Sequence, residues 1–590
     1  MKRKPVKSLK YWCFESIGPT LTKHIRKVVS KSASAKCFGL LHGEIDVNPE
    51  DVIDQQIKLL KTHIWSHVIW YDFCEFFKIV TRSVEDAILI TKKSWKPSIN
   101  IEHFRQEMDH IVLFTDLAIQ PDMLKLDFGE IPPCIRSSLV ANLGSFKKLS
   151  TLILRPYDNK SGNWLFKSVL QDLIKGFRGL QCLKEFSLKH NCNNKILEAL
   201  ASSCWYTLKI LDMEYSKQIN NESVDYILSC QNLIELNVFK TSINDEGKGR
   251  LIHHLPNLCH LPRGDFLCDA LAWIEEDEDE EEQIFKIREF FPSMKYYFHE
   301  AWQLEMVAQC CPFIEKMLFI FHESCVDDYL VLTPFENLTD LELFGGNFYT
   351  DKICDLIQIK GTKLKKLSLL SIKEMDFKAI ALITIHGKMM THLNINNCDL
   401  VDYHSSGDPN SDDEYDRRQS YLNMAKEAYE IVEPFESLEH ISITSHASSL
   451  YLVFILGRAK KLKSIEIGPN NGLNDESMIK ILLQNPLLDL EEFHCERNVH
   501  FTKATVHLLV NNCINLKCLS DMQSWSSLDP NDLSHFREHI RQCNYNMDTR
   551  SHTKMRKYLE LRDFERQTYH NLVTGPALER IRMAQAQLHQ

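Results

Sequence analysis

The chain has 590 residues, 44% of them apolar and 25% charged, which excludes wholesale disorder because so much apolar surface can bury a core. Its 80 acidic and 69 basic residues give a net charge of −11, and no apolar run approaches the roughly 20 residues of a membrane-spanning helix. The 19 cysteines contain no CxxC pair, which excludes that type of zinc site, and the lack of a secretory signal predicts reduced thiols in a cytoplasmic or nuclear protein.

The first predicted element is a short helix that carries three residues on one stripe. Leu9, Cys13 and Ile17 follow one another at i, i+4 and i+8, and these positions share one side of a helix. The same spacing occurs twice more within the repeats described below, at Leu188, Cys192 and Ile196 and at Leu200, Cys204 and Leu208. The spacing alone is therefore a weak signal, and the copy at 9–17 differs from the others by lying outside the repeats in a basic segment.

Residues 1–118 contain signals for helices but no repeat. Asn48 followed by Pro49 is a typical helix start, with asparagine as the N-cap and proline at the first helical position. The segment 64–80 is rich in large aromatic residues, which indicates the packed interior of a small domain. We therefore predict a helical amino-terminal domain over residues 1–118.

Residues 119–525 contain a repeat of the form L-x-x-L-x-L, in which other apolar residues are allowed. Most copies begin near 25 residues apart, and they start at Leu149, Leu183, Leu208, Leu233, Ile314, Leu338, Leu364, Met390, Leu438, Leu462, Leu490 and Leu516. The alternation x-L-x-L predicts a short strand, and an apolar stripe at helical spacing before it predicts a helix. One unit cannot bury both elements, so the units must stack on one another.

A cysteine often closes the predicted helix just before the strand. The four examples are Cys204, Cys230, Cys311 and Cys513. Cysteine suits a tight turn between helix and strand because it is small and behaves as a buried hydrophobic residue.

This pattern resembles the leucine-rich repeat family, and its cysteine-containing subtype in particular. The resemblance implies an α/β solenoid with a concave parallel sheet and convex helices, preceded by the helical amino-terminal domain. The sequence departs from the family at the Asn or Cys expected after the strand. Asn397-Cys398 fits that position, whereas Lys189-His190 and Phe239-Lys240 do not, so we expect irregular repeats.

Two acidic stretches lengthen the intervals between repeats. Glu275–Glu282 is a run of eight acids in an insertion near 268–284, and Asp402–Asp416 holds six acids and no lysine or arginine in an insertion near 401–420. Adjacent like charges cannot be buried unpaired, and neither stretch has the ligand spacing and turn glycine of a calcium loop. We predict two exposed loops at the rim of the solenoid.

Residues 526–590 follow the last copy of the repeat. They contain few apolar residues after Leu561. We predict a helical carboxy-terminal cap on the last repeat, followed by a tail.

The sequence lacks the common motifs of catalysis and cofactor binding. It contains no glycine-rich phosphate loop, no G-x-S-x-G, no H-E-x-x-H and no H-R-D. We therefore predict no catalytic, metal-binding or cofactor-binding residues, and a protein that is not an enzyme. A solenoid offers a broad surface for a protein target, and a nucleic-acid or membrane partner is not expected.

The stripe Leu9, Cys13 and Ile17 resembles the BC box of elongin-binding proteins, in which the leucine and cysteine of a short helix enter an apolar pocket on elongin C. A helical module before leucine-rich repeats is similar to substrate receptors of cullin ubiquitin ligases. The resemblance implies that these three residues bind elongin B/C, that a cullin joins the complex, and that the concave face binds a target.

A second pattern of such receptors, which selects the cullin, matches Ile131-Pro132 to Leu139, although this match also fits an ordinary repeat helix. The alternative is a leucine-rich repeat scaffold or adaptor protein outside the ligase system. In that case residues 1–118 serve only as the amino-terminal cap of the repeats.

Overall fold

A computed structural model of the chain describes residues 9–549, apart from a number of internal segments. The segments outside the description are 43–47, 68–72, 96–100, 156–166, 263–265, 276–283, 292–299 and 401–434 and the single positions 324, 399, 446, 448, 470 and 544. The chain divides into two compact units. We call Val6–Val326 with Val331–Leu338 the amino-terminal unit, and Asp327–Leu330 with the residues from Thr339 onward the carboxy-terminal unit.

The amino-terminal unit begins with four helices: α1 (Leu9–His42), α2 (Pro49–His67), α3 (Phe73–Ser94) and α4 (Ile101–Leu113). Helix α1 packs against the other three, and its Ile25 and Val29 are wholly buried. The Ser83 hydroxyl lies 3.2 Å from the carbonyl oxygen of Gly18 and 2.7 Å from that of Ile79 on its own helix, so α3 and α1 approach closely at this point. Helix α2 starts where the sequence predicted, and the Asn48 side chain accepts from the amide of Glu50. The prediction of a helical region before the repeats is confirmed.

Five parallel strands follow in chain order: β1 (Lys125–Asp127), β2 (Thr151–Leu154), β3 (Glu185–Leu188), β4 (Ile210–Asp212) and β5 (Glu235–Asn237). The helices of this part are α5 (Pro133–Ala141), α6 (Lys167–Phe177), α7 (Asn194–Cys204), α8 (Val224–Leu228) and α9 (Asp245–His254). The unit continues through α10 (Leu267–Glu275), β6 (Glu289–Phe290), α11 (Ala301–Cys310) and β7 (Lys316–Ile320). Strands β6 and β7 are also parallel neighbours.

The carboxy-terminal unit repeats the same alternation of strand and helix. Its strands pair in parallel and in chain order: β8 (Asp340–Phe344), β9 (Lys366–Leu370), β10 (His392–Asn396), β11 (His440–Ile443), β12 (Ser464–Ile467), β13 (Glu492–Cys495) and β14 (Cys518–Ser520). Its helices are α12 (Ile353–Lys360), α13 (Phe377–His386), α14 (Ser449–Arg458), α15 (Asp475–Gln484), α16 (Lys503–Asn512) and α17 (Pro530–Gln542).

The apolar residues of each repeat occupy the positions that stacking requires. In β8, Leu341 and Leu343 are buried while the three other residues are only half-buried. The buried leucines pair in register, so that Leu341 lies beside Leu367 and Leu367 beside Leu393. This shared row of leucines is the core of a leucine-rich repeat solenoid, and the predicted fold class is confirmed. The predicted boundaries at 118 and 525 stay predictions.

A left-handed backbone turn ends the strand segment in most repeats. The eighth residue of the repeat has a positive φ in seven copies, at His190, Tyr215, Lys240, Gly345, Ser371, Asn397 and Arg497. His190 and Lys240 therefore adopt the same turn as Asn397, although the side chains there did not match the family pattern. Left-handed backbone costs a non-glycine residue about 1–2 kcal/mol, so stacking of the repeats must compensate for each of these turns.

The cysteines that close the repeat helices are buried, as predicted. Cys204, Cys311 and Cys513 have no exposed surface, and Cys230 is nearly as buried. Burial raises the pKa of the Cys204 and Cys513 thiols to about 12. These groups are packed thiols that stay protonated at neutral pH, and they are poor nucleophiles.

Candidate protein-binding faces

The outward side of the carboxy-terminal sheet is lined by polar side chains from alternate strand positions. Asp340 and Lys366 form an ion pair of 3.2 Å across β8 and β9. On the next two strands the rings of His392 and His440 stack with their centroids 4.4 Å apart. Such cross-strand contacts hold the side chains in rows, so this face presents a fixed pattern of charges and rings.

Two titratable groups of this face have shifted pKa values. Burial raises the pKa of the Glu466 carboxyl, and nearby Glu496 and Asp521 act in the same direction against a hydrogen bond from Ser442. Burial also lowers the pKa of His392, and the neighbouring His440 adds to that effect. Both shifts disfavour the charged form, so a partner that supplies an opposite charge would relieve a cost that the free protein carries.

Ser520, His494 and Glu492 form an arrangement that resembles a catalytic triad. The Ser520 hydroxyl lies 2.5 Å from His494 Nδ1, and His494 Nε2 lies 3.7 Å from the Glu492 carboxylate. However, the side chain of Ser520 has no exposed surface. A nucleophile must reach the substrate, so this group serves to pair strands β13 and β14 rather than to react.

The outward side of the amino-terminal sheet is acidic. Lys189 pairs there with Asp212 at 3.3 Å and with Glu214, and Arg155 pairs with Asp127 at 3.3 Å. Burial raises the pKa of Glu235, with a further contribution from neighbouring carboxylates that include Glu289. The crowding of carboxylates on this face favours a partner with positive charge.

A strip of rings and cations follows the ends of β3, β4 and β5. The rings of His190 and Tyr215 are stacked at 4.9 Å, and Tyr215 meets Phe239 edge to face at 5.5 Å. The ammonium of Lys240 lies 5.0 Å from the centre of the Tyr215 ring. Three of these residues occupy the left-handed position of successive repeats, so the turn itself brings them together. Sequence reasoning missed this strip because it treated Lys189-His190 and Phe239-Lys240 as departures from the family.

Sequence reasoning also missed a buried asparagine pair in the carboxy-terminal unit. Asn498 donates to Asn471 Oδ1 at 2.8 Å and to the carbonyl of Leu473 at 3.0 Å. Its own oxygen accepts from the amides of His500 and Phe501 at 2.8 and 2.6 Å. Asn498 occupies the ninth position of its repeat, where the family expects Asn or Cys, so counting positions would have found it, whereas Asn471 lies one position further along its own repeat.

The predicted adaptor-binding stripe lies on helix α1. The helix begins at Leu9, so positions 9, 13 and 17 share helical backbone as predicted. Ile17 is half-buried. The side chains of residues 9–15 lie outside the described part of the structure, so the accessibility of Leu9 and Cys13 stays a prediction. The two similar triplets within the repeats are buried throughout, with Cys192 and Cys204 in the core.

The segment that matched the cullin-selecting pattern belongs to the core of a repeat. Ile131, Ile135 and Leu139 are wholly buried, and the last two lie on α5. Arg136 between them donates to the backbone carbonyls of Ile131 at 3.0 Å and Arg155 at 2.7 Å. These side chains have no surface to offer a cullin, which favours the interpretation of this segment as an ordinary repeat helix.

Several other sequence features have structural roles or lie outside the description. Asn337, which precedes strand β8, donates its side-chain amide to the carbonyl of Pro312 at 2.8 Å. Nearly all of the Glu275–Glu282 run and the whole of Asp402–Asp416 lie outside the described residues. Among the residues that are described, no group of three or more metal-binding side chains comes together, and no helix is long and apolar enough to cross a membrane.

Comparison with known proteins found similar folds but no family. No family model and no curated protein matches the chain. An internalin from Listeria monocytogenes is 14% identical over 64% of this chain and 88% of its own, with a TM-score of 0.35. A leucine-rich repeat protein from Leptospira interrogans is 15% identical over 73% of this chain and 96% of its own, with a TM-score of 0.30. The yeast complex of Rad7 and Elc1 contains a chain that is 10% identical over 89% of this chain and 96% of its own, with a TM-score of 0.33. The leucine-rich repeat assignment therefore depends on this chain's own strands, helices and repeat positions.

Proposed function

We propose that this protein is a protein-interaction module that holds a target on the outward side of its repeat sheets. The observation that carries the proposal is the ordered rows of charged and aromatic side chains on parallel strands, including the stacked pair His392 and His440. Half-buried acidic groups such as Glu466 also support the proposal. The raised pKa of Glu466 indicates that the free protein does not fully stabilise its charge, which a partner could then stabilise.

Matched charge reversals test whether the target binds the sheets. Lys366→Glu changes the face of β9, and Lys480→Glu makes the same change on helix α15, where Lys480 pairs with Glu476. In the amino-terminal unit, Glu185→Lys on β3 is matched by Glu198→Lys on α7. Quantitative affinity capture should lose its main partner with at least one strand variant and keep it with both helix variants. Equal loss with strand and helix variants would contradict the proposal.

The more specific proposal is a substrate-recognition subunit of a cullin-type ubiquitin ligase, with α1 as the adaptor-binding helix. In an ideal helix, each step of four residues rotates the position around the helix axis by roughly 40° beyond a full turn. Position 9 lies four such steps before Ile25 and is therefore roughly 160° from it around the axis. Ile25 is wholly buried and Ile17, two steps closer to position 9, is half-buried. This rotation supports a stripe that turns away from the packed side of α1 as it approaches the amino end of the helix. A helix that docks into the groove of a partner requires such an uncovered stripe.

Co-purification with elongin B/C tests this role. The double change Leu9→Ala with Cys13→Ala should abolish elongin capture, while Arg26→Ala, at an exposed position of the same helix, should leave it unchanged. Target binding through the sheets should survive in both variants. If the unaltered protein captures no elongin at micromolar concentration, the ligase role is wrong.

The second candidate function is a leucine-rich repeat scaffold without an adaptor. The observation that favours it is the complete burial of Ile131, Ile135 and Leu139, which removes the cullin-selecting element. The two candidates share the same target-binding faces, so the elongin experiment distinguishes them without affecting the broader proposal.

A further inference from the structure

The turns that lead into strands β2, β3 and β4 carry an unusual concentration of positive charge. Lys147, Arg178, Lys184 and Lys209 lie in these turns, and all four side chains are exposed. Lys175, in the last turn of α6, is exposed at the same edge. The three turns contain no acidic residue. We call these five cations, together with Trp205 and Tyr206, the basic edge.

The cations of the basic edge are unpaired within the described part of the amino-terminal unit. None of the five has an ion-pair partner among the residues described there, whereas the adjacent Lys148 is paired with Asp122 at 2.8 Å. The turns are tied closely together, because the amide of Lys209 donates to the carbonyl of Lys184 at 2.7 Å. Positive charge therefore accumulates over neighbouring turns without compensation.

Two large aromatic residues stand exposed among these charges. Trp205 is 53% exposed and Tyr206 is 50% exposed, and their rings meet edge to face at 5.5 Å. The backbone below them is held by Asn232, whose side chain donates to the carbonyl of Tyr206 at 2.8 Å. Exposed aromatic residues on a fixed backbone are typical centres of protein interfaces.

Helix electrostatics explains only part of this arrangement. Cations near a helix carboxyl end are favoured by the helix dipole, and Lys175 occupies that position on α6. Lys184 and Lys209 instead directly precede strands, and the dipole does not account for the exposure of Trp205. In the carboxy-terminal unit, two of the lysines that directly precede strands are paired, Lys463 with Glu439 at 2.8 Å and Lys517 with Glu491 at 2.6 Å.

We propose that the basic edge is a second binding surface, distinct from the sheet faces, and that it takes an extended acidic peptide segment of a partner protein that carries an apolar residue. Unpaired lysines complement the acidic side chains, and Trp205 with Tyr206 receives the apolar one. A single-stranded nucleic acid fits less well, since successive bases stack on parallel ring faces and these two rings are inclined at 69° to each other. The net charge of −11 opposes general attraction of an acidic ligand, so binding requires this local surface.

The test uses fluorescence anisotropy with the full chain and three labelled probes: a peptide of alternating glutamate and leucine, the same peptide with glutamine in place of glutamate, and oligothymidine. The glutamate peptide should bind and the glutamine peptide should not. Lys184→Glu with Lys209→Glu should weaken binding by about tenfold or more, because two exposed pairs become repulsive. Trp205→Ala should also weaken it.

The matched control is Lys195→Glu with Lys217→Glu, which makes the same charge change in the same unit at exposed positions near the opposite ends of the strands. It should change the affinity by less than about twofold. Equal weakening by both double variants, failure of the glutamate peptide to bind, or oligothymidine that binds as tightly and competes would each overturn the proposal. Lys184→Gln with Lys209→Gln, checked by circular dichroism, repeats the test without introducing negative charge.

Discussion

Replacement of Asn498 by alanine should destabilise the carboxy-terminal unit strongly. Asn498 has no exposed surface and makes two hydrogen bonds as donor and two as acceptor. Alanine would leave the Leu473 carbonyl, the amides of His500 and Phe501 and the Asn471 oxygen without this partner. At about 1 kcal/mol for each lost bond, with more where the abandoned group stays dry, the expected loss is roughly 3–5 kcal/mol.

Chemical denaturation followed by circular dichroism measures this loss. Asn512→Ala is the matched control, since Asn512 is exposed and donates only to the Leu508 carbonyl of its own helix, and its effect should stay within about 0.5 kcal/mol. Asn498→Asp adds a second test, because only a protonated carboxyl could still donate, and its single proton could reach either Leu473 or Asn471. The pKa of that carboxyl should be raised, so the variant should be most stable in acid and lose stability as the pH rises through the raised pKa. A loss for Asn498→Ala no larger than that for Asn512→Ala would refute the network.

Three further predictions follow from the carboxy-terminal sheet. Leu367→Ala should cost roughly 2–5 kcal/mol in the free energy of unfolding, because Leu367 is buried between the leucines of β8 and β10; an unchanged thermal melt would contradict this. Glu466→Gln should raise the melting temperature at neutral pH, since the raised pKa of Glu466 makes its ionised form unfavourable, and the gain should vanish once the pH falls below the ordinary value of 4.5. His392, whose pKa is lowered from 6.5, should make the protein less stable as the pH falls from 6.5 through the lowered value. His392→Gln should remove that part of the pH dependence of the urea midpoint, and a variant that keeps it would show that another group is responsible.

The strands of the repeats were predictable because their apolar positions have a fixed period. Leu341 and Leu343 were assigned to a strand from alternation alone, and both lie buried on β8. Stacking imposes the same requirement on every copy, so the signal is repeated along the chain and can be recognised without an alignment. The helix-closing cysteines were predictable for the same reason.

The turn after the strand was not predictable from side-chain identity. His190, Lys240 and Asn397 share a left-handed backbone although their side chains have nothing in common. The conformation is imposed by the repeats on either side, and each residue tolerates it because the stacked strands stabilise the turn. A pattern based on Asn or Cys therefore fails where the backbone itself is regular, and the strip around Tyr215 was missed as a consequence.

The candidate binding surfaces were the least predictable part because they occupy the positions that stacking leaves free. Each strand of the amino-terminal sheet uses its inward residues for the core, and the outward ones carry the acids Asp212 and Glu235. The turns at the other end of the strands carry the unpaired Lys184 and Lys209. The period of 25 residues places Lys184 and Lys209 at the same position of successive repeats, but the family pattern leaves that position and those of the acids unassigned, so neither group stood out in the sequence. Their segregation arises only when the strands are aligned in register, and it gives one unit an acidic face and a basic edge, which two partners of opposite charge could occupy at the same time.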